Sequence, residues 1–253
     1  MKAPESLLVV WRQFDDFPME TLTKAWIFAQ GGTKKQRDVE TMKCHRQRYG
    51  ITGNCFDLAI WLLDAFKEAG VEAYPIGDDL GTEDAHAAVV AVDEKGRRFL
   101  CDLGDQWLQP ILIDGHDEAY TVAELAGFFP AATVQVKTTG TAVEVLYHRP
   151  NGKTSQQWYS AEPVSMTAFL EAAEFSQRHV YPKALVEVRL PYKDEIAHWE
   201  FEHWESFLST SDGLFPDPPL GTLAEWVERL HEKTGFDRRF LKESLNLYKE
   251  MNQ

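Results

Sequence analysis

Gly53-Asn54-Cys55-Phe56-Asp57-Leu58-Ala59-Ile60-Trp61-Leu62-Leu63-Asp64-Ala65-Phe66-Lys67-Glu68-Ala69-Gly70 sets a cysteine directly before the best-specified helix of the chain. Leu58, Leu62, Ala65, Phe66 and Ala69 recur at helical spacing, and Gly70 supplies a stop. A thiol at a helix N-terminus meets the positive end of the macrodipole and unpaired backbone N–H groups. Both favour the thiolate, the reactive form of cysteine, and the same N–H groups suit an oxyanion on an attacked carbonyl. Gly53 leaves room for close approach of a substrate.

After Gly70 the period changes from helical to alternating. Val71–Ile76, Ala85–Val92 and Arg97–Leu103 read as short strands, as do the stretches around Val134/Val136, Val143/Val145/Tyr147 and Ala184/Val186/Val188. Upstream, residues 5–30 and 38–48 read as mainly helical, separated by Gly31-Gly32. Downstream, Leu220–Thr234 and Arg238–Met251 show amphipathic spacing broken at Gly235. Helical, then β, then helical is an α+β order, unlike the βαβ alternation of a doubly wound sheet.

His86 opens the apolar run Ala85–Val92, where packing gives no reason for an imidazole. If Glu94-Lys95-Gly96 is a three-residue hairpin loop with Gly96 left-handed, Asp93 pairs with Arg97 and Asp102 faces Ala88. His86 and Asp102 then share a face and lie diagonally, within side-chain reach. An acid that orients an imidazole, which deprotonates a thiol, makes Cys55, His86 and Asp102 a candidate catalytic triad. Cys101 points to the opposite face and reads as buried packing.

Bulk properties exclude other classes. The 253 residues carry a formal net charge of −14, against the basic surface that nucleic acid or an anionic membrane requires. The apolar run Leu7–Trp11 is too short for a signal peptide, and no stretch approaches the roughly eighteen apolar residues of a membrane span, so the chain reads as cytoplasmic. Three cysteines, Cys44, Cys55 and Cys101, form neither a disulfide framework nor a zinc spacing. Lys34, Lys35, Arg37, Lys43, Arg46 and Arg48 outweigh Asp38 and Glu40 as a local +4. This segment reads either as a solvated face or as an anion-binding patch beside the active site. His198, Glu200, Glu202 and His203 look metal-like, but the histidines are five apart and share no single face, so no metal site is expected. Cys44-His45 lacks a third partner, and the acidic loop of Asp78, Asp79, Glu83 and Asp84 reads as solvated. Trp107 fits either an aromatic acceptor pocket or the core.

Gly53-x-Cys55-Phe56-Asp57 resembles the Arg-Gly-Gly-x-Cys-Phe-Glu motif of the arylamine N-acetyltransferases. His86-Ala-Ala-Val-Val-Ala-Val and Phe99-Leu-Cys-Asp102-Leu-Gly104 are similar to that family's His strand and Asp-Val-Gly strand. The family's Arg-Gly pair is Ile51-Thr52 here, and its Glu is Asp57. The resemblance implies a cysteine-protease-like, three-part fold. Residues 1–84 would be a helical part with the nucleophile, 85–190 an antiparallel β-barrel part with His and Asp, and 191–253 a C-terminal helical lid. It also implies acetyl transfer from acetyl-CoA, through a thioester on Cys55, to a small-molecule amine, with His86 as base and Asp102 as orienter. Gly-x-Cys-x-Asp-x-Ala followed by His86-Ala87 also fits the broader transglutaminase-like superfamily, with acyl transfer from amides or amide hydrolysis, though Asp102-Leu-Gly after Phe-Leu-Cys and the long tail favour the acetyltransferases. A binding module with a degenerate site is the non-enzymatic alternative.

Overall fold

The computed structural model describes residues 1–251 as an α+β protein. The helical start comprises α1 (Glu5–Trp11), a short β1 (Met19–Glu20), α2 (Leu22–Ala29), α3 (Val39–Tyr49) and α4 (Cys55–Glu68). Next come β2 (Glu72–Asp78), β3 (His86–Val92), β4 (Arg98–Cys101) and β5 (Ile111–Leu112). They are followed by β6 (Leu125–Phe129), β7 (Ala132–Thr139), β8 (Ala142–His148) and β9 (Thr154–Ser160). Helix α5 (Met166–Arg178) leads to β10 (Leu185–Tyr192), β11 (Glu195–Glu202), β12 (Glu205–Thr210) and β13 (Gly213–Pro216). Helices α6 (Leu223–Thr234) and α7 (Arg238–Met251) complete the order.

The local signals explain most boundaries. Asn54 caps α4 by accepting the Asp57 N–H at 3.2 Å, and Asp38 caps α3 through the Thr41 N–H. Thr222 and Glu225 form a reciprocal capping box on α6, which Gly235 ends at φ +73°. The β3–β4 hairpin has the expected loop: Gly96 sits at φ +77° and the Asp93 N–H bonds to the Arg97 carbonyl at 2.9 Å. Val89 pairs with Cys101, and continuing that register sets Asp102 across from Ala88.

The strands form three antiparallel sheets, ordered β2-β3-β4-β5, β6-β7-β8-β9 and β1-β10-β11-β12-β13. None closes on itself among the described residues, where the sequence pointed to a barrel; Lys2 bridges the β5 edge of the first sheet at Ile111. The stretch after residue 190 also differs from the expected helical part, since it is strand as far as Pro216. Ala197, Trp199 and Phe201 alternate on the buried face of β11 while His198 and Glu200 take the other, a period of two that only a strand satisfies.

Two hydrophobic cores result. One joins α1, α4, α5 and the first two sheets through Leu7, Phe56, Leu62, Val89, Phe99, Val145 and Phe169. The other joins α2, the third sheet, α6 and α7 through Leu22, Val186, Trp199, Leu230 and Leu245. β1 pairs with β10 and α2 packs on α7, so the N-terminal helices lie against both cores. No helix among the described residues is long and apolar enough to cross a membrane.

Candidate active site

Cys55 is the first residue of α4, partly buried, with its backbone entering from Gly53 at φ +138°. A Cβ at Gly53 would stand 2.2 Å from Asp57 Oδ2 and 2.6 Å from Arg37 Nη2, so only glycine fits. On the other side of the thiol, a Cβ at Gly104 would come within 2.6 Å of the Cys55 Cβ. The chain after β4 therefore presses directly on Cys55.

The three sequence-predicted residues meet here. His86 Nε2 lies 2.6 Å from Asp102 Oδ2, and Cys55 stands close enough to the same imidazole to help raise its pKa. Asp102 is fully buried and fully used. Its Oδ2 also accepts the Tyr159 hydroxyl at 2.8 Å, and its Oδ1 accepts the Asp105 N–H at 2.9 Å. Burial disfavours a charged His86, but the Asp102 charge, the hydrogen bond His86 donates to Asp102 and the neighbouring Cys55 outweigh it, holding its pKa well above the ordinary histidine value. Burial, and next the Asp102 charge, push the Tyr159 phenol well up, so it remains a donor. Burial and then Asp102 also raise Asp105, whose carboxylate accepts the Tyr147 hydroxyl.

A second polar cluster fixes the loop before Cys55 from behind. Arg37 Nη2 reaches Asp57 Oδ2 at 3.0 Å and donates to the Thr52 carbonyl. Gln36 donates to Asp57 Oδ1 at 2.8 Å, and Gln177 of α5 donates to Asp57 Oδ2 at 3.1 Å. Arg37 thus supplies, from upstream of α3, a cation at the motif where Ile51 and Thr52 replace Arg-Gly. Lys24 of α2 is buried nearby; burial lowers its pKa against the opposing charges of Cys55 and Asp57.

This corrects the reading of segment 34–48 as an anion patch. Lys35 is buried and donates to the Phe28 and Gly31 carbonyls, and Arg37 is committed to Asp57. Lys43 pairs with Glu40, Asp64 and Glu68, and Arg46 with Asp16. Lys34 and Arg48 stay exposed without such a partner among the described residues, Arg48 lying over the Tyr49 ring.

Trp107 is wholly buried and donates to the Tyr147 hydroxyl at 3.3 Å, so it belongs to the core and not to a pocket. Cys101 is buried too, its thiol pKa pushed up by burial. Cys44 is exposed, while the His45 ring packs edge-on against Trp26 and Tyr49. Of the acidic loop, Glu83 accepts the Tyr181 hydroxyl. His198 and Glu200 face a cavity, whereas Glu202 and His203 lie at the exposed end of the β11–β12 hairpin. The residues missed from sequence are Tyr159, Tyr147, Gln36, Gln177 and the structural role of Arg37. A buried carboxylate in the first turn of α4 was the available signal that a cation had to be found for Asp57.

No family model and no curated protein sequence matches the chain. Solved structures do. The arylamine N-acetyltransferase from M. tuberculosis superposes with a TM-score of 0.72 at 14% identity, over 98% of this chain and 92% of that one. The chain has the fold of the arylamine N-acetyltransferases. The Salmonella typhimurium enzyme matches with a TM-score of 0.72 at 12% identity, covering 99% and 93% of the two chains. The Mycobacterium marinum enzyme in complex with CoA matches with a TM-score of 0.68 at 13% identity, covering 95% and 90%.

Proposed function

We propose that this protein is a cytoplasmic thiol-dependent acyltransferase that moves an acetyl group from acetyl-CoA to a small-molecule amine through a thioester on Cys55. The observation that carries the reading is the Cys55–His86–Asp102 arrangement, with His86 hydrogen-bonded to Asp102 beside Cys55 and Asp102 held by three donors. The arylamine N-acetyltransferase fold supports the reaction class, and the CoA complex of the Mycobacterium marinum enzyme supports a CoA ester as donor. In this reading residues 1–84 carry the nucleophile, 85–190 the base and its orienting acid, and 191–253 cover the site.

The chemistry follows from the geometry. His86 takes the thiol proton, and the imidazolium is stabilised by Asp102. The thiolate attacks the thioester carbonyl, with first-turn N–H groups of α4 beside the developing oxyanion. The tetrahedral adduct collapses, the C–S bond to CoA breaks, and His86 returns its proton to the departing CoA sulfur. An amine then attacks the Cys55 thioester, His86 accepts the amine proton, and the amide leaves with the thiol regenerated. Asp105 and Tyr147, bonded to each other behind Asp102, hold the carboxylate in place without entering the reaction.

Two half-reactions sharing one acyl-enzyme require ping-pong kinetics. With acetyl-CoA varied at several fixed concentrations of an arylamine or hydrazine, double-reciprocal plots should be parallel. Intersecting lines would mean direct transfer in a ternary complex and would remove Cys55 as acyl carrier.

A further inference from the structure

The face of β11 turned away from the second core carries His198 and Glu200, and Glu187 of β10 stands directly opposite Glu200 in the antiparallel register. One ligand atom from each of the three lies within 4.8 Å of the others. They open onto a cavity of about 150 Å³ between the second and third sheets, also lined by Asp105, Tyr147 and Arg149. The charge balance there is poor, since three carboxylates face it and Arg149 is the single lining cation among the described residues. Like charges directly opposite on paired strands destabilise a sheet.

A second observation is independent of the carboxylates. His198 is only 4% exposed, and its Nε2 has no hydrogen-bond partner. Glu187 Oε1 stands 3.8 Å from that nitrogen, too far for a hydrogen bond. Leaving a buried polar atom unsatisfied costs about 1–3 kcal/mol. Two ligand atoms bonded to one ion at about 2.0–2.1 Å in a tetrahedral array stand roughly 3.4 Å apart, so a small contraction closes the observed gap. One bound cation would satisfy the imidazole and separate the two carboxylates.

We propose that Glu187, His198 and Glu200 form a binding site for a divalent transition-metal ion of the zinc type, with water from the cavity completing the coordination. The imidazole selects this class, because calcium and magnesium take oxygen ligands almost exclusively. The site belongs to the third sheet, while Asp105 links its cavity to the back of Asp102. None of its three ligands belongs to the Cys55–His86–Asp102 group, so the proposal does not depend on the acyltransferase reading.

Cobalt(II) is a spectroscopic probe for such a site. It is titrated into the chelator-stripped full chain carrying Cys44→Ser and Cys55→Ser, which removes the accessible thiols as competing soft ligands. The expected result is visible d–d absorption saturating at one equivalent, with no sulfur charge-transfer band, and displacement by zinc. His198→Gln and Glu200→Gln should each weaken binding by at least about 10- to 100-fold, the range seen when metal-site support is lost. Far-UV circular dichroism identifies which variants are folded, and either folded variant reads the result alone. No cobalt spectrum at millimolar metal overturns the proposal. So does a spectrum that survives unchanged in a folded His198→Gln or Glu200→Gln variant.

Discussion

Two ion pairs flank Cys55, and they differ in what the cation is free to do. In His86–Asp102 the carboxylate is wholly buried but the imidazole side chain keeps 19% of its surface open. In Arg37–Asp57 the side chains are 3% and 1% exposed, and the carboxylate also takes donors from Gln36 and Gln177. Histidine releases and takes protons near neutrality, whereas arginine does not titrate in proteins. The open, titratable pair is placed to move a proton to and from the thiol. The closed one can only hold Gly53 and the first turn of α4 in place. Burial of the cation and its chemical identity, and not the presence of an ion pair, separate reaction from scaffolding.

The largest test of this contrast is Asp102→Asn. Loss of the charge that orients and stabilises the His86 imidazolium should lower the rate of Cys55 acylation by about 10³- to 10⁴-fold with the fold retained. An acylation rate within tenfold of the unmodified protein would break the comparison. Arg37→Met should act on the other side of it. Removing one partner of a buried pair costs about 3–5 kcal/mol, so urea denaturation should show a loss of that size. Unchanged stability with altered acylation would make Arg37 a participant in the chemistry instead.

Tyr159→Phe removes one donor from the Asp102 carboxylate. A hydrogen bond to a charged group contributes about 1.5–3 kcal/mol, so urea denaturation should show a stability loss of about that size, with acylation slowed by no more than roughly ten- to a hundredfold. The smallest expected effect is the pH dependence of stability at His86, whose partly open imidazole is screened. Its pKa is raised in the folded state, so the native protein binds more protons than the unfolded chain between the ordinary histidine value and the raised one. The stability advantage over His86→Gln should be full below about pH 6.5 and decline as pH rises through the elevated folded value. An advantage that grows with pH would mean that the folded state disfavours the imidazolium.

The contact of His86 with Asp102 was legible in the sequence and that of Arg37 with Asp57 was not. His86 stood out because an imidazole interrupts an apolar strand, and Gly96 after Asp93-Glu94-Lys95 set a hairpin whose register brings Asp102 to it. Both signals are local. Arg37 and Asp57 are brought together by the packing of the segment before α3 on α4, which no periodicity encodes. Read alone, Arg37 joined its basic neighbours as surface charge.

The third sheet was hidden for a related reason. The spacing of His198 and His203 along one segment drew attention, while the geometrically relevant neighbour, Glu187, comes from the adjacent strand in a register fixed by the β10–β11 turn. Tyr159 likewise reaches Asp102 from β9, 57 residues downstream.

The account rests on Cys55 carrying the acyl group, and intact-mass spectrometry after incubation with acetyl-CoA measures that directly. It predicts a single acetyl increment, mapped to the Cys55 peptide and lost in Cys55→Ala while the exposed Cys44 remains unmodified. No increment on Cys55, or an increment that appears only with a glutamine amide as donor, would contradict it.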